Sequence, residues 1–206
     1  MEEEIGTGRL EAFSDGVFAI AITLLIIEVH VPAREHAETL GHELLRIWPS
    51  YLGYLTSFLT IGVMWINHHQ LFSLIDRADR TFLLLHTLLL MLIAFVPFPT
   101  AVLAQYIRTD DALPAAVLYG ATLTLTAVLF NAVWRYAAAD RRLLTPAAPQ
   151  SEVDDITRAY SFGPFIYGGS AALAFLSPKA SAAAYLTIAV FFALPLAHWR
   201  MAVRRT

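Results

Sequence analysis

The sequence contains no cysteine, so disulfides, thiolate metal sites and redox pairs are excluded. Charge is scarce: Asp, Glu, Lys and Arg make up 15% of the 206 residues, where a soluble globular domain carries about 25%. No polar stretch is long enough to fold as a separate soluble domain. The amino terminus, MEEEIGTG, lacks the basic region of a cleaved signal peptide, so the first apolar run is expected to stay as an anchor. No HExxH, HxxxH or Ser-His-Asp arrangement appears in a workable context, and no basic patch points to nucleic acid. Gly168-Gly169 lacks the strand–turn–helix setting that a phosphate-binding loop requires. Internal repeats are missing as well. An enzyme reading therefore has little to stand on.

What is present is apolar surface, at 57% of residues. Runs of about 20 mostly apolar residues span a bilayer. They predict an all-α integral membrane protein, a single domain over 1–206, with six spans near 9–31, 45–68, 80–106, 112–137, 157–176 and 180–201. The connection 32–44 opens with Pro32, which ends the first helix. Connection 69–79 carries alternating charge, 107–111 is a short polar turn, and the join near Leu176–Lys179 is tight. The segment 138–156, with two prolines among charges, is expected to be the least ordered loop. Pro97, Pro99 and Pro195 read as kinks re-satisfied by neighbouring helices. Gly163, Gly168, Gly169, Ser170, Ala171, Ala172 and Ala174 make the fifth span a helix–helix interface, since small residues permit close approach in lipid.

Orientation follows from the bias of Lys and Arg toward cytoplasmic loops. With six spans, Arg9, Arg77, Arg80, Arg135, Arg141, Arg142, Arg158, Arg200, Arg204 and Arg205 share one side. Arg34, Arg46, Arg108 and Lys179 share the other, a ratio of 10 to 4. Both termini are thereby assigned to the cytoplasm.

The chain is organised around 9–31. On a wheel of 100° per residue, Arg9, Phe13, Gly16, Ile20, Leu24 and Ile27 fall on one narrow face, with Thr23 at its edge. Asp15 and Ser14 flank the opposite side. An ionised Asp15 at mid-membrane costs roughly 2.5–3.5 kcal/mol on insertion scales and needs a partner or a wet cavity. Counting depth from the cytoplasmic end brings Trp65, Asn67, His68 and His69 of the second helix, and His86 of the third, to its level. Asp, Ser, Asn and His at one depth read as a hydrogen-bonded network between helices. Arg9 and Asp15, six apart, should not pair within their own helix; a partner for Arg9 lies on another helix or another subunit. Imidazole and carboxylate also suit zinc, iron or nickel, but adjacent histidines diverge by about 100° on a helix. A pH sensor on the same histidines is a further reading. Glu28 and His30 read as interfacial polar residues, or as an entry ring if several copies meet.

Arg9-x-x-x-Phe13-Ser14-Asp15, opening the first of six helices, resembles the RxxxFSD signature of the transmembrane protein 175 family. Trp65-x-Asn67-His68-His69 and the six-span layout look like that family too, over nearly the whole chain. The family comprises lysosomal potassium channels in animals and smaller six-helix relatives in bacteria and archaea. Animal members carry two six-helix units and this chain one, so the resemblance implies a homotetramer. It implies a pore on the four-fold axis, lined by the first helix of each subunit, with a constriction at Ile20 followed outward by Leu24 and Ile27. Thr23 takes the hydroxyl position of the same run. No TVGYG-like loop occurs, in keeping with an apolar constriction in place of a carbonyl filter. Arg9, Phe13, Ser14 and Asp15, with Trp65, Asn67, His68 and His69, would hold that helix to its neighbours. The implied function is a potassium-permeable cation channel of the cell membrane with modest preference for potassium over sodium. It would have no cofactor beyond the permeant ion, no resident metal, and membrane lipid as its surroundings. A proton-coupled secondary transporter, a membrane-embedded metalloenzyme and a silent scaffold are the rivals. Saturable gradient-coupled flux, bound metal or inactive bilayers would mark each in turn.

Overall fold

The computed structural model describes residues 5–32 and 39–194. Among the described residues the chain is helical apart from turns and one small pairing. The helices are α1 (Gly8–Leu24), α2 (Leu40–Arg46), α3 (Trp48–Phe72), α4 (Arg80–Phe95), α5 (Pro97–Tyr106), α6 (Ala112–Ala138), α7 (Gln150–Ala172) and α8 (Pro178–Ala193). A 3₁₀ turn, Leu25–Glu28, prolongs α1.

Among the described residues three stretches are long and apolar enough to cross a membrane: Gly8–Glu28, Arg80–Tyr106 and Ala112–Arg141. Pro178–Ala193 is apolar but shorter. The expected end of that last span, with Pro195, Arg200, Arg204 and Arg205, lies outside the described residues, as does Arg34.

Local chemistry sets several ends. Asp79 precedes α4 in extended backbone, and its carboxylate accepts from the Phe82 N–H at 2.8 Å. Ser177 does the same for α8, accepting from Ala180 at 3.2 Å, with Pro178 just inside the helix. Both are the N-cap arrangement that satisfies an orphan amide. Pro97 has no N–H to continue α4 and so separates α4 from α5. Within the bundle, hydroxyls bond back to the carbonyl four residues earlier: Thr60 to Thr56, Thr122 to Leu118 and Thr126 to Thr122. This satisfies polar groups without a partner helix.

α6 and α7 pack most extensively on one another, and α3 lies between α1, α5 and α8. The core is built from Phe18, Ile61, Phe82, Leu89, Ile93, Leu123, Trp134 and Tyr185, each at most 3% exposed. Gly120 on α6 marks the closest approach: a Cβ there would stand 2.8 Å from the Ala171 Cβ and 2.7 Å from the Tyr185 hydroxyl.

Several boundaries differ from those the sequence predicts. The second long helix runs on through His69 to Phe72, so its last turn belongs to α3 and not to a loop. α2 forms inside the expected connection 32–44. α7 starts at Gln150, before the apolar run, because Glu152, Asp154, Asp155 and Arg158 are good company for a solvated first turn even though they lower hydropathy.

The expectation of a loosely held 138–156 segment is corrected. Leu143, Leu144 and Ala148 are buried. The Asp76 N–H donates to the Leu143 carbonyl, and the Thr145 N–H to that of Leu74. Arg141, in left-handed backbone at φ 55°, donates to the Gln150 side chain and the Ala148 carbonyl. At the same end of the bundle β1 (Ile5–Gly6) pairs antiparallel with β2 (Arg77–Ala78). The starts of α1, α4 and α7 and the ends of α3 and α6 therefore gather at one level.

Candidate functional site

α1 has two unlike sides. Ser14, Phe18, Ala21 and Leu25 are buried at steps of four, three and four. That spacing traces one helical face, and the face lies on α3 and α4. On the other side Phe13 is 59% exposed, Ile20 61%, Leu24 41% and Ile27 64%. Thr23 is exposed as well. Of the apolar stretch that includes α1 only 22% is buried, against 39% and 44% for the stretches of α4–α5 and α6. Among the described residues the Ile20 face of α1 is thus left without a protein neighbour.

Thr23 has a particular geometry. Its hydroxyl lies 2.8 Å from the Ala19 carbonyl and 3.0 Å from that of Ile20, both on its own helix. The hydroxyl proton is used there, so only oxygen lone pairs face away from the helix.

The buried face carries the polar cluster. The Ser14 hydroxyl donates to the Leu10 carbonyl at 2.7 Å. Its oxygen stands 3.4 Å from Nε2 of His86 on α4. Nε2 of His86 is in turn 2.9 Å from Nε2 of His68 on α3. One proton shared across that pair satisfies both Nε2 atoms, one donating and the other accepting. Nδ1 of His86 is buried with no hydrogen-bond partner among the described residues. Aromatic rings pack around the imidazoles: Phe72 is stacked on His68, Phe82 on His86, and Phe18 meets His68 edge-on.

Asp15 sits at the rim of this face. It accepts a hydrogen bond from the Trp65 indole at 2.9 Å. Trp65 stacks on His69, so the two adjacent histidines serve different neighbours: His68 is buried and His69 exposed. Asp15, His69 and the His68–His86 pair therefore do not converge on a point, and among the described residues no group of three such side chains is placed to hold a metal. Asn67 is engaged through its backbone, whose carbonyl accepts from the Tyr160 hydroxyl of α7 at 3.1 Å. Arg9 is exposed and makes no ion pair or hydrogen bond among the described residues. At the far end of α1 the His30 Nδ1–H donates to the Glu28 carbonyl at 2.9 Å.

The aromatic collar was available in the sequence. Phe72 lies four residues after His68 and Phe82 four before His86, so each shares a helix face with its histidine. The Asp79 carboxylate, which also accepts from the Tyr136 hydroxyl at 2.7 Å, had no such periodic signal.

Residues 9–97 match the family model described as endosomal/lysosomal potassium channel TMEM175. A potassium channel of Chamaesiphon minutus is 50% identical over 194 residues, which are 93% of this chain and 96% of that protein. A potassium channel of Streptomyces collinus is 42% identical over 187 residues, covering 90% and 91%. Among solved structures, the crystal structure of a lysosomal potassium-selective channel TMEM175 homolog from Chamaesiphon minutus superposes with a TM-score of 0.83 at 49% identity. The match covers 91% of this chain and 96% of that one.

Proposed function

Because this chain belongs to the TMEM175 channel family, we propose that it is a potassium-permeable cation channel of the cell membrane, formed by four copies around a pore lined by α1. It is an integral membrane protein and not an enzyme. The observation that carries the reading is the open apolar face of α1, with Ile20, Leu24 and Ile27 exposed while the opposite face is packed into the bundle.

In the assembly, rings of Ile20, Leu24 and Ile27 form a narrow throat. An apolar constriction of this kind gates by dewetting or steric closure. Opening rotates or splays the α1 helices until water enters. Potassium, the more weakly hydrated ion, then crosses at lower dehydration cost than sodium. The Thr23 hydroxyls, their protons tied to the Ala19 and Ile20 carbonyls, offer lone pairs that replace part of the ion's water shell. Selectivity is modest, since no cage of carbonyl oxygens surrounds the ion, and no cofactor is needed beyond the permeant ion. Ser14 and Asp15, through His86 and Trp65, anchor α1 with its Ile20 face turned to the axis. Arg9 and Phe13, exposed in one chain, meet a neighbouring subunit. The excess of arginine at the end of the bundle that holds β1 and β2 supports a cytoplasmic assignment for that end and, with six spans, for both termini.

Potassium flux into liposomes tests this. Ile20→Asn removes the apolar ring: flux rises and the potassium-to-sodium ratio falls. Asp15→Ala releases the anchor and lowers flux. Unchanged flux in both variants contradicts the pore and anchor roles, and saturable flux coupled to a proton gradient would favour a carrier instead.

A further inference from the structure

A cavity of about 250 Å³ lies between α3, α5, α6 and α8. None of its lining residues comes from α1, so it is separate from the face assigned to the pore. Its walls are mostly apolar and include Leu52, Leu103, Ile107 and Leu186. Its floor includes Tyr119 and Thr100, both buried. The hydroxyls there are already satisfied in series. Ser57 bridges the Tyr119 hydroxyl at 3.1 Å and that of Thr100 at 2.7 Å, and Thr100 donates to the Val96 carbonyl at 2.8 Å. With the Tyr119, Ser57 and Thr100 hydroxyls paired with one another, Thr56 adds one further hydroxyl to a lining that is otherwise mostly apolar, and such an interior favours a hydrocarbon over water.

The mouth is different. Lys179 and Trp48 both line the cavity and both are exposed. Lys179 opens α8 and forms no salt bridge or hydrogen bond among the described residues. A tryptophan and a lysine lining one cavity at the starts of membrane helices sit at headgroup level, where aromatic rings and snorkelling ammonium groups collect.

We propose that this cavity is a binding site for an anionic phospholipid. One acyl chain fills the space between α3 and α8, and the Lys179 ammonium meets the phosphate at the mouth. Charge complementarity selects the occupant. A neutral lipid would fill the walls equally but leave Lys179 uncompensated, and a second copy of this chain would need a carboxylate seated over it. The proposal depends on the chain being in a membrane and not on the pore assignment.

Photo-crosslinking tests it, using the purified full chain reconstituted in vesicles with phosphatidylglycerol bearing a diazirine on its acyl tail. Labelled peptides are mapped by mass spectrometry. Label is expected on α3 and α8 around Leu52 and Leu186. Unlabelled phosphatidylglycerol should compete about fivefold better than phosphatidylcholine of the same tails, the discrimination expected of one cation at headgroup level. Lys179→Gln should abolish that preference while leaving the labelled positions unchanged. Ala183→Trp, at the exposed lip, should exclude the tail and remove the label. Leu125→Phe, on an exposed part of α6, controls for general disturbance and should change neither. Label spread evenly over the lipid-facing helices overturns the proposal. So does equal competition by both lipids, or displacement by a free fatty acid where phosphatidylglycerol has no effect.

Discussion

His68 and His86 show how a single proton organises a buried contact. Their Nε2 atoms are 2.9 Å apart and enclosed by Phe18, Phe72 and Phe82. Removing His86 leaves Nε2 of His68 buried without its partner, and removing His68 leaves Nε2 of His86 only the longer 3.4 Å contact to Ser14; an unpaired buried group costs about 1–3 kcal/mol. Replacing both leaves nothing unsatisfied. His68→Leu and His86→Leu should therefore each lower the melting temperature in detergent, and the double variant should lose less than the sum. Additive losses would mean the contact contributes nothing. The Asp15–Trp65 bond is nearer the rim and weaker in consequence. Hydrogen bonds between membrane helices average about 0.6 kcal/mol, so Trp65→Phe should barely move the melting temperature. It should still lower potassium flux, because it frees the α1 carboxylate that holds the helix's rotation. A large thermal loss with normal flux would reverse those roles. Residue by residue, much of this was legible: depth counting brings Asp15, Ser14, Trp65, His68 and His86 to one level. It does not tell that His69 turns away to Trp65, or that Asn67 is engaged through its carbonyl, because neighbouring positions on a helix diverge by 100° and only packing decides which faces inward.

At the scale of the helix, close approach is set by one glycine the sequence did not single out. The small residues of α7 read as an interface, and Gly168 does have the Thr124 methyl at 3.6 Å from where its Cβ would be. Gly169 has nothing within 4 Å, whereas Gly120 on α6 faces Ala171 and Tyr185 at under 3 Å. Gly120→Ala should destabilise by about 1–3 kcal/mol, as forced overpacking does, and Gly169→Ala should be nearly neutral. Thermal unfolding of both variants decides it; equal effects would mean that α6, α7 and α8 are less tightly fitted. Apolar runs revealed where the long helices lie, because a bilayer-length stretch is a strong signal. They failed at polar ends. The first turns of α7 carry Glu152, Asp154 and Asp155, and the last turn of α3 carries His68, His69 and Gln70, so hydropathy stops short of the helix in both cases. The 139–149 segment misled for another reason. Its prolines and charges signal a loop, which it is, but Leu143, Leu144 and Ala148 are enough apolar surface to dock it against Leu74 and Ile75.

For the whole molecule, the decisive feature is an asymmetry of burial. The apolar stretches of α4–α5 and α6 are 39% and 44% buried, while that of α1 is 22% buried and shows Phe13, Ile20, Leu24 and Ile27 to the outside. In lipid such a face carries no penalty, so exposure alone does not demand a partner. Membership in a channel family does: an ion needs a path, and no route through the packed interior of one chain is offered by the buried Phe18, Phe82 and Trp134. A path between copies, along the open Ile20 face of α1, would meet that need. The cavity at Lys179, which no α1 residue lines, is then free to hold lipid. The direct test is a cryo-electron microscopy map of the protein in lipid nanodiscs with potassium present. Four copies around an axis are expected, with the α1 helices innermost and the Ile20 and Leu24 side chains projecting toward one another across it. A map with those side chains against lipid, or with a different helix on the axis, would contradict it.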